Sequence, residues 1–240
     1  MSNPTYVVVK TRETLVELLE KERGYNAEKY KAMDINTLEL SVLQTSVSKQ
    51  QQSDSLRMEV EHTSETVEED GETRKKKACV LFLMEPIKVK VTNGTLLENM
   101  LKDVSQQAKG EPNVSVKGFS EVLVNYIPAE ANEDTAPYDK MAFLAWKRHT
   151  ILIQFFPLGT LVSNPLKHVL QPKFEIVRDE DEKKKIMEFW YAKSAAQFPL
   201  IRFHSDMAAR CLGLIPGDFV KITTASLTAG EYVKYRLCQP

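Results

Sequence analysis

The 240-residue chain is 42% hydrophobic and 27% charged, with a formal net charge of -1 at pH 7, enough for one large or two modest domains with a real core. That charge balance excludes a molecule that holds nucleic acid by overall cationic excess, so any DNA contact has to be local or assisted. Cys79, Cys211 and Cys238 are odd in number, far apart and free of C-x-x-C spacing, which argues against a disulfide framework or a zinc site and fits a reducing compartment.

The opening "MSNPTYVVVKTRE" has an apolar run too short for a signal peptide, and no apolar stretch approaches membrane-spanning length; a cytosolic or nuclear protein is expected. In "TLVELLEKERGY" (14–25), Leu15, Leu18 and Leu19 share one helical face, Thr14 and Glu17 have capping-box spacing, and Gly24 suits a helix stop. Asn26 reads as the cap of a second helix over "AEKYKAM", and "DINTLEL" as another helical start. From 44 to 77 the chain turns polar, acid-rich and then basic at "RKKK", almost without aromatics; the composition predicts a disordered insertion and a solvated charge run.

Order returns at "ACVLFLM" (78–84), an apolar run with the length of a buried strand. "TNGTLLENMLKDVSQQAKG" follows as a turn and a helix capped by Thr95 with Glu98, then "FSEVLVNYI" as a strand, "TAPYDKMAFLAWKR" as a helix and "HTILIQFF" as a strand. This alternation predicts a small, helix-covered, mainly parallel sheet, an α/β unit ending near residue 166. The remainder, 167–240, reads as an α+β unit: a short strand in "KFEIV", a helix opened by Asp179, a helix "SDMAARCLGL" capped by Ser205 or Asp206, a turn with Gly217 at positive φ, and two strands joined around "SLTAG".

No cofactor, metal or catalytic constellation emerges. His62, His149, His168 and His204 lack a second ligand at useful spacing. The run His204-Ser205-Asp206 has triad residue types but reads as a helix cap, and Asp179 to Glu182 splay around a helix start. Trp190 and Tyr191 read as core and rim. In "EYVKYRL" the period of two sends Val233, Tyr235 and Leu237 to a core face and Tyr232, Lys234 and Arg236 to the other. The second set suits protein docking or phosphate contact, and equally a plain solvated face.

From Pro199 onward the chain closely resembles the carboxy-terminal assembly domain of the fifth subunit of eukaryotic nuclear RNA polymerases, a family that includes its archaeal equivalent. Pro199, Ile201, Asp206, Ala209, Arg210, Leu212, Gly213, Gly217, Val220, Lys221, Ile222, Ser226, Thr228, Ala229, Gly230, Tyr232, Tyr235 and Arg236 match that family's pattern in order. The upstream "HVLQPKFEIVRDEDEKKKIMEF" is similar to the family's entry strand and acidic helix, and "TLVELLEKERGY" to its opening helix. Thr224, Ala225 and Leu227 replace Arg, Pro and Glu of the pattern, Met207 replaces a Pro, and Ile215-Pro216 a basic pair.

The resemblance implies an amino-terminal jaw domain (1–166) and a carboxy-terminal assembly domain (167–240) of a nuclear, non-catalytic subunit. It implies docking on the largest polymerase subunit among other core subunits, with no membrane and no homo-oligomer. The departures imply a divergent copy specific to one polymerase class, nucleolar if that class makes ribosomal RNA. Lys221, Ser226, Thr228, Tyr232, Arg236 and Arg210 are the implied docking residues; Gly217, Gly230, Asp206 and Tyr235 are structural, Arg210 and Asp206 being equally readable as a structural pair. Thr135, Pro137 and Lys140 stand where the family's jaw tip faces downstream duplex DNA, although Glu130, Glu133 and Asp134 would repel phosphate there. The competing reading is a stand-alone nucleic-acid binder or nuclease-like α/β protein.

Overall fold

A computed structural model describes residues 4–32, 36–40, 42, 56–69, 72–86, 100–101, 115–128, 135–226, 228 and 230–239. The chain is mixed α/β with two sheets and divides into two compact units, Met1–Ser163 and Asn164–Pro240. No helix among the described residues is long and apolar enough to cross a membrane.

The first unit opens with α1, Pro4–Lys21. The helix starts well before the Thr14 cap predicts, at Pro4: the apolar run before it continues the same face, so Val8 is buried with Leu15, Leu18 and Leu19, and Thr14 lies inside the helix. Gly24 then takes a φ of +71°, and a Cβ there would sit 2.9 Å from Nε2 of His62, so both conformation and space require glycine. The predicted second helix is instead a two-residue strand β1 (Tyr25–Asn26) and a single 3-10 turn (Glu28–Tyr30). Asn26 still accepts a backbone hydrogen bond from Glu28 at 3.2 Å.

Two long strands follow, β2 (Arg57–Glu69) and β3 (Glu72–Pro86), paired antiparallel. They overturn the expectation of a disordered insertion over 44–77 for residues 57–69 and 72–77; residues 44–55 lie outside the described set. Composition misled because the apolar residues are few but alternate: Met58 and Val60 are buried while Glu59 and Glu61 face out. Asp70-Gly71, the dipeptide between the strands in the sequence, is a strong hairpin signal.

The sheet continues through β4 (Glu121–Ile127), α2 (Ala136–His149) and β5 (Leu152–Pro157) in the order β1-β2-β3-β4-β5. β3, β4 and β5 run parallel, as the alternation of strand and helix predicts, but β1, β2 and β3 pair antiparallel. The sheet is therefore mixed instead of mainly parallel, since a chain that returns through a hairpin must reverse direction. The Thr95 cap falls outside the described residues, although Met100 and Leu101 are helical.

Both faces of the parallel strands are buried. Cys79, Leu81, Val122, Val124, Ile153 and Phe155 meet Tyr138, Met141, Ala142 and Ala145 of α2, with Tyr126 and Tyr138 stacked at 4.3 Å. The opposite face carries Glu121 and Gln154, and Arg23, just past α1, ion-pairs with Glu121 and donates to Gln154. The Tyr25 hydroxyl donates to the same carboxylate at 2.6 Å, and Lys76 Nζ lies 3.9 Å from it. A charge buried in this way is tolerable only with every partner in place. Arg23→Met should lower stability in urea titration by about 3 kcal/mol or more, while Lys76→Met should cost less than about 1 kcal/mol.

The second unit holds β6 (Lys173–Val177), α3 (Glu180–Phe189), β7 (Leu200–Arg202), α4 (Met207–Leu212), β8 (Phe219–Ser226) and β9 (Gly230–Gln239). Its sheet order is β6-β8-β9-β7, with β7 parallel to β9 and the other pairs antiparallel. Asp179 caps α3 and Asp206 caps α4, each side chain accepting a backbone N–H three residues on, at 3.2 and 3.1 Å. Val177, Ile186, Phe198, Phe219 and Leu237 form the core on one side of the sheet.

Candidate functional site

The β8–β9 ladder fixes which side chains can act together. Ser226 pairs with Gly230 and Phe219 with Leu237, and residues directly opposite share a face. Leu237, Tyr235 and Val233 therefore lie with Phe219, Lys221 and Thr223, whereas Arg236, Lys234 and Tyr232 lie with Val220, Ile222 and Thr224. The alternation read in "EYVKYRL" is present, but its core face is thinner than predicted: Leu237 is buried, while Val233 and Tyr235 are only half-buried. Tyr235 packs on the rim of the core cluster.

Lys221 is not beside Tyr232 and Arg236. It lies on the Tyr235 face, its Nζ 3.0 Å from Glu175 Oε2, and Glu175 also binds Lys173 at 2.6 Å. The hydrogen bonds donated by Lys173 and Lys221 hold the Glu175 carboxyl below its ordinary pKa range, and donating to Glu175 raises the pKa of the Lys221 ammonium. Ser226 and Thr228 lie at the β8–β9 turn, their hydroxyls 3.3 Å apart, with Gly230 at φ +72°. Leu227 and Ala229 fall outside the described residues.

Asp206 is spent on the α4 cap. Its partner in the sequence reading, Arg210, is half-buried one turn along, and the pKa of His204 is lowered by burial first, then by Arg202 and Arg210. Gly217 adopts φ +101° in a turn closed by Asp218 N–H to Ile215 O at 3.1 Å, the geometry that Pro216-Gly217 predicts. Its N–H donates to Cys238 O at 3.0 Å, tying the turn to the end of β9. Burial raises the Cys79 and Cys238 thiols to about 12, so neither is a nucleophile at neutral pH.

In the first unit, Thr135 precedes α2 and its carbonyl accepts from Tyr138 and Asp139, both at 3.0 Å; Pro137 lies in the first turn and Lys140 is exposed. Glu130, Glu133 and Asp134 lie outside the described residues. The sequence reading passed over a cationic end of the same helix, where Lys147, Arg148 and His149 are all exposed and complement the helix dipole. Among the described residues no group of three or more His, Cys, Asp or Glu could hold a metal.

Trp190 and Tyr191, expected in core and rim, prove to be surface. Phe189 and Trp190 end α3 edge to face at 5.7 Å; Trp190 is 49% exposed, Tyr191 94% and Tyr232 56%. Tyr191 has a φ of +52°, a conformation that side chains other than glycine seldom adopt. Trp190, Tyr191 and Tyr232, with Phe198, Pro199 and Lys234, line a groove of about 280 Å³. A second groove of about 320 Å³ includes Arg236, Asp206, Phe174 and Ile222, and Lys234 borders both. The "FWY" triplet at a helix end was the available signal: three large rings in succession cannot all face one core.

An apolar, ring-rich patch bordered by cations is the composition of an interface core with a polar rim, and it offers no converging groups for covalent chemistry. The family model for the C-terminal domain of RNA polymerase Rpb5 matches residues 163–238. The chain is 46% identical over 74 residues to DNA-directed RNA polymerase subunit Rpo5 of Pyrococcus horikoshii, covering 31% of this chain and 87% of that protein. It is 34% identical over 107 residues to the rpabc1 subunit of RNA polymerases I, II and III of Dictyostelium discoideum, 44% of this chain and 53% of that one. Identity to subunit 5C of RNA polymerase V of Arabidopsis thaliana is 32% over 84 residues, 35% of each chain.

Two outcomes test this geometry. Tyr235→Ala should cost about 2 kcal/mol in chemical denaturation, below the full-burial loss of about 3 to 5 kcal/mol, because the ring sits on the rim. His204 is held below its ordinary pKa by burial first, then by Arg202 and Arg210. The folded state thus binds fewer protons than the unfolded one, and stability that is complete above pH ~6.5 is lost as pH falls through the folded pKa. Thermal melts from pH 8 to 5 should show this slope flattened in His204→Gln.

Proposed function

The chain belongs to the Rpb5/Rpo5 family of DNA-directed RNA polymerase subunits, and on that premise we propose that it is a non-catalytic structural subunit of a nuclear polymerase, acting in transcription. The observation that carries this reading is the exposed ring cluster of Trp190, Tyr191 and Tyr232 beside Lys234, a surface whose exposure is costly in isolation and useful only when covered. Unit Asn164–Pro240 serves as the assembly domain, presenting that cluster to the largest subunit. Unit Met1–Ser163 serves as the jaw beside downstream duplex DNA, with Thr135, Pro137 and Lys140 on the DNA side.

Divergence supports a copy confined to one polymerase class. Thr224 and Ala225 replace charged and rigid residues at the open end of β8, and Ala225 is exposed, so a partner selected for the usual charges would bind this chain less well. The relatives named above include a subunit shared by three polymerases and one of polymerase V, so both arrangements occur among proteins of this kind.

A tagged full-length chain should recover a polymerase core from nuclear extract, and the association should survive nuclease and salt of about 0.5 M, where interactions between exposed charges are largely screened. Trp190→Ala with Tyr232→Ala should reduce recovery at least about tenfold, a loss of ~1.4 kcal/mol or more. Recovery that disappears on nuclease treatment would favour a stand-alone nucleic-acid binder and sink the proposal.

A further inference from the structure

β9 is ten residues long and is paired along one side by β8 from Gly230 to Leu237. On its other side β7 reaches only Leu237, Cys238 and Gln239. Among the described residues no strand pairs with that side of Glu231–Arg236. The direction of the backbone groups there follows from two hydrogen bonds. Leu237 N–H donates away from β8, to Pro199 O at 2.9 Å, whereas Cys238 N–H donates to Asp218 O at 2.8 Å, on the β8 side. The strand period of two then turns the N–H and C=O of Val233 and Tyr235 the same way as those of Leu237, toward the open side.

The aromatic groove lies at this edge. Tyr235 and Phe198 border it from the core face and Tyr232 and Lys234 from the other, so it wraps around the strand instead of lying on one face. Lys234 has no ion-pair partner among the described residues, and Arg236 reaches only the Leu200 carbonyl, at 3.4 Å. Natural sheets usually shield such an edge, and this one is left open beside a ring-lined slot.

We propose that an extended segment of a polymerase core subunit adds to this edge as a strand, continuing the line of β7 and pairing with Val233 and Tyr235. The inference rests on the docking role proposed above and supplies its mode. The added strand places alternate side chains on the two faces: an apolar one against Tyr235 and Phe198, and an acidic one against Lys234. Nucleic acid fits less well. Phosphates can accept from the Val233 and Tyr235 N–H groups but cannot donate to the carbonyls beside them, and the exposed Glu231 carboxylate repels them.

The test compares hydrogen exchange of the full-length chain alone with that of the polymerase complex recovered through it. The amides of Val233 and Tyr235 should slow at least tenfold in the complex. Val233→Pro removes an edge donor while leaving the β8 ladder intact, and should keep a cooperative melt yet reduce recovery of the core at least tenfold; Lys234→Glu should reduce it severalfold. If these amides exchange in the complex as fast as in the free chain, strand addition is overturned while the docking role stands; this readout uses the unaltered protein and does not depend on how the proline variant folds. Protection that nuclease abolishes would assign the edge to nucleic acid and overturn the inference. If no polymerase core is recovered at all, the docking role falls and takes the inference with it.

Discussion

The antiparallel pairing of β8 with β9 is the constraint on which the second unit depends. It sets Phe219 against Leu237 in the core and, by the same register, places Lys221 with Tyr235 and Lys234 with Ile222. The Pro216-Gly217 turn and the hydrogen bonds of Cys238, its N–H to Asp218 O and its carbonyl from Gly217 N–H, lock one end; the Ser226–Gly230 connection closes the other. A slip of one residue would exchange the two faces, burying Lys234 and exposing Leu237. The ring cluster and the open edge exist only because this register holds.

The first unit is organised around a different problem, a charge in the interior. Arg23 and Glu121 are each almost wholly inaccessible, and their pairing is supported by Gln154 and the Tyr25 hydroxyl. Such a network adds little net stability compared with apolar packing, but it penalises any arrangement that separates the end of α1 from the middle of the sheet. Gly24 serves the same junction: its positive φ turns the chain from α1 into β1, and its missing side chain leaves room for the His62 ring, which meets Tyr25 edge to face. The junction thus couples the helix, the hairpin and the parallel strands through local fit.

Long apolar runs and capped helices were legible in the sequence. Leu152 to Phe156, Cys79 to Phe82 and Val122 to Val124 are buried as their composition requires, and the Asp179 and Asp206 caps bond as their positions suggest. The hairpin of β2 and β3 was hidden because polar composition outweighed a short apolar alternation around Met58 and Val60. β7 was hidden for want of length, since three residues give no period to read. The face that Lys221 occupies was not legible, because its identity as a cation says nothing of the strand register that pairs it with Tyr235.

By itself, the amino-acid sequence determined the kind of protein through a carboxy-terminal run of matched residues whose turns and caps follow from local backbone chemistry. Tertiary structure alone decided what that run presents to a partner. Which rings stay in water, and which side of β9 lacks a neighbour among the described residues, depend on strand order and on where β7 stops. Those are consequences of contacts between residues far apart in the chain, and local propensity carries no record of them.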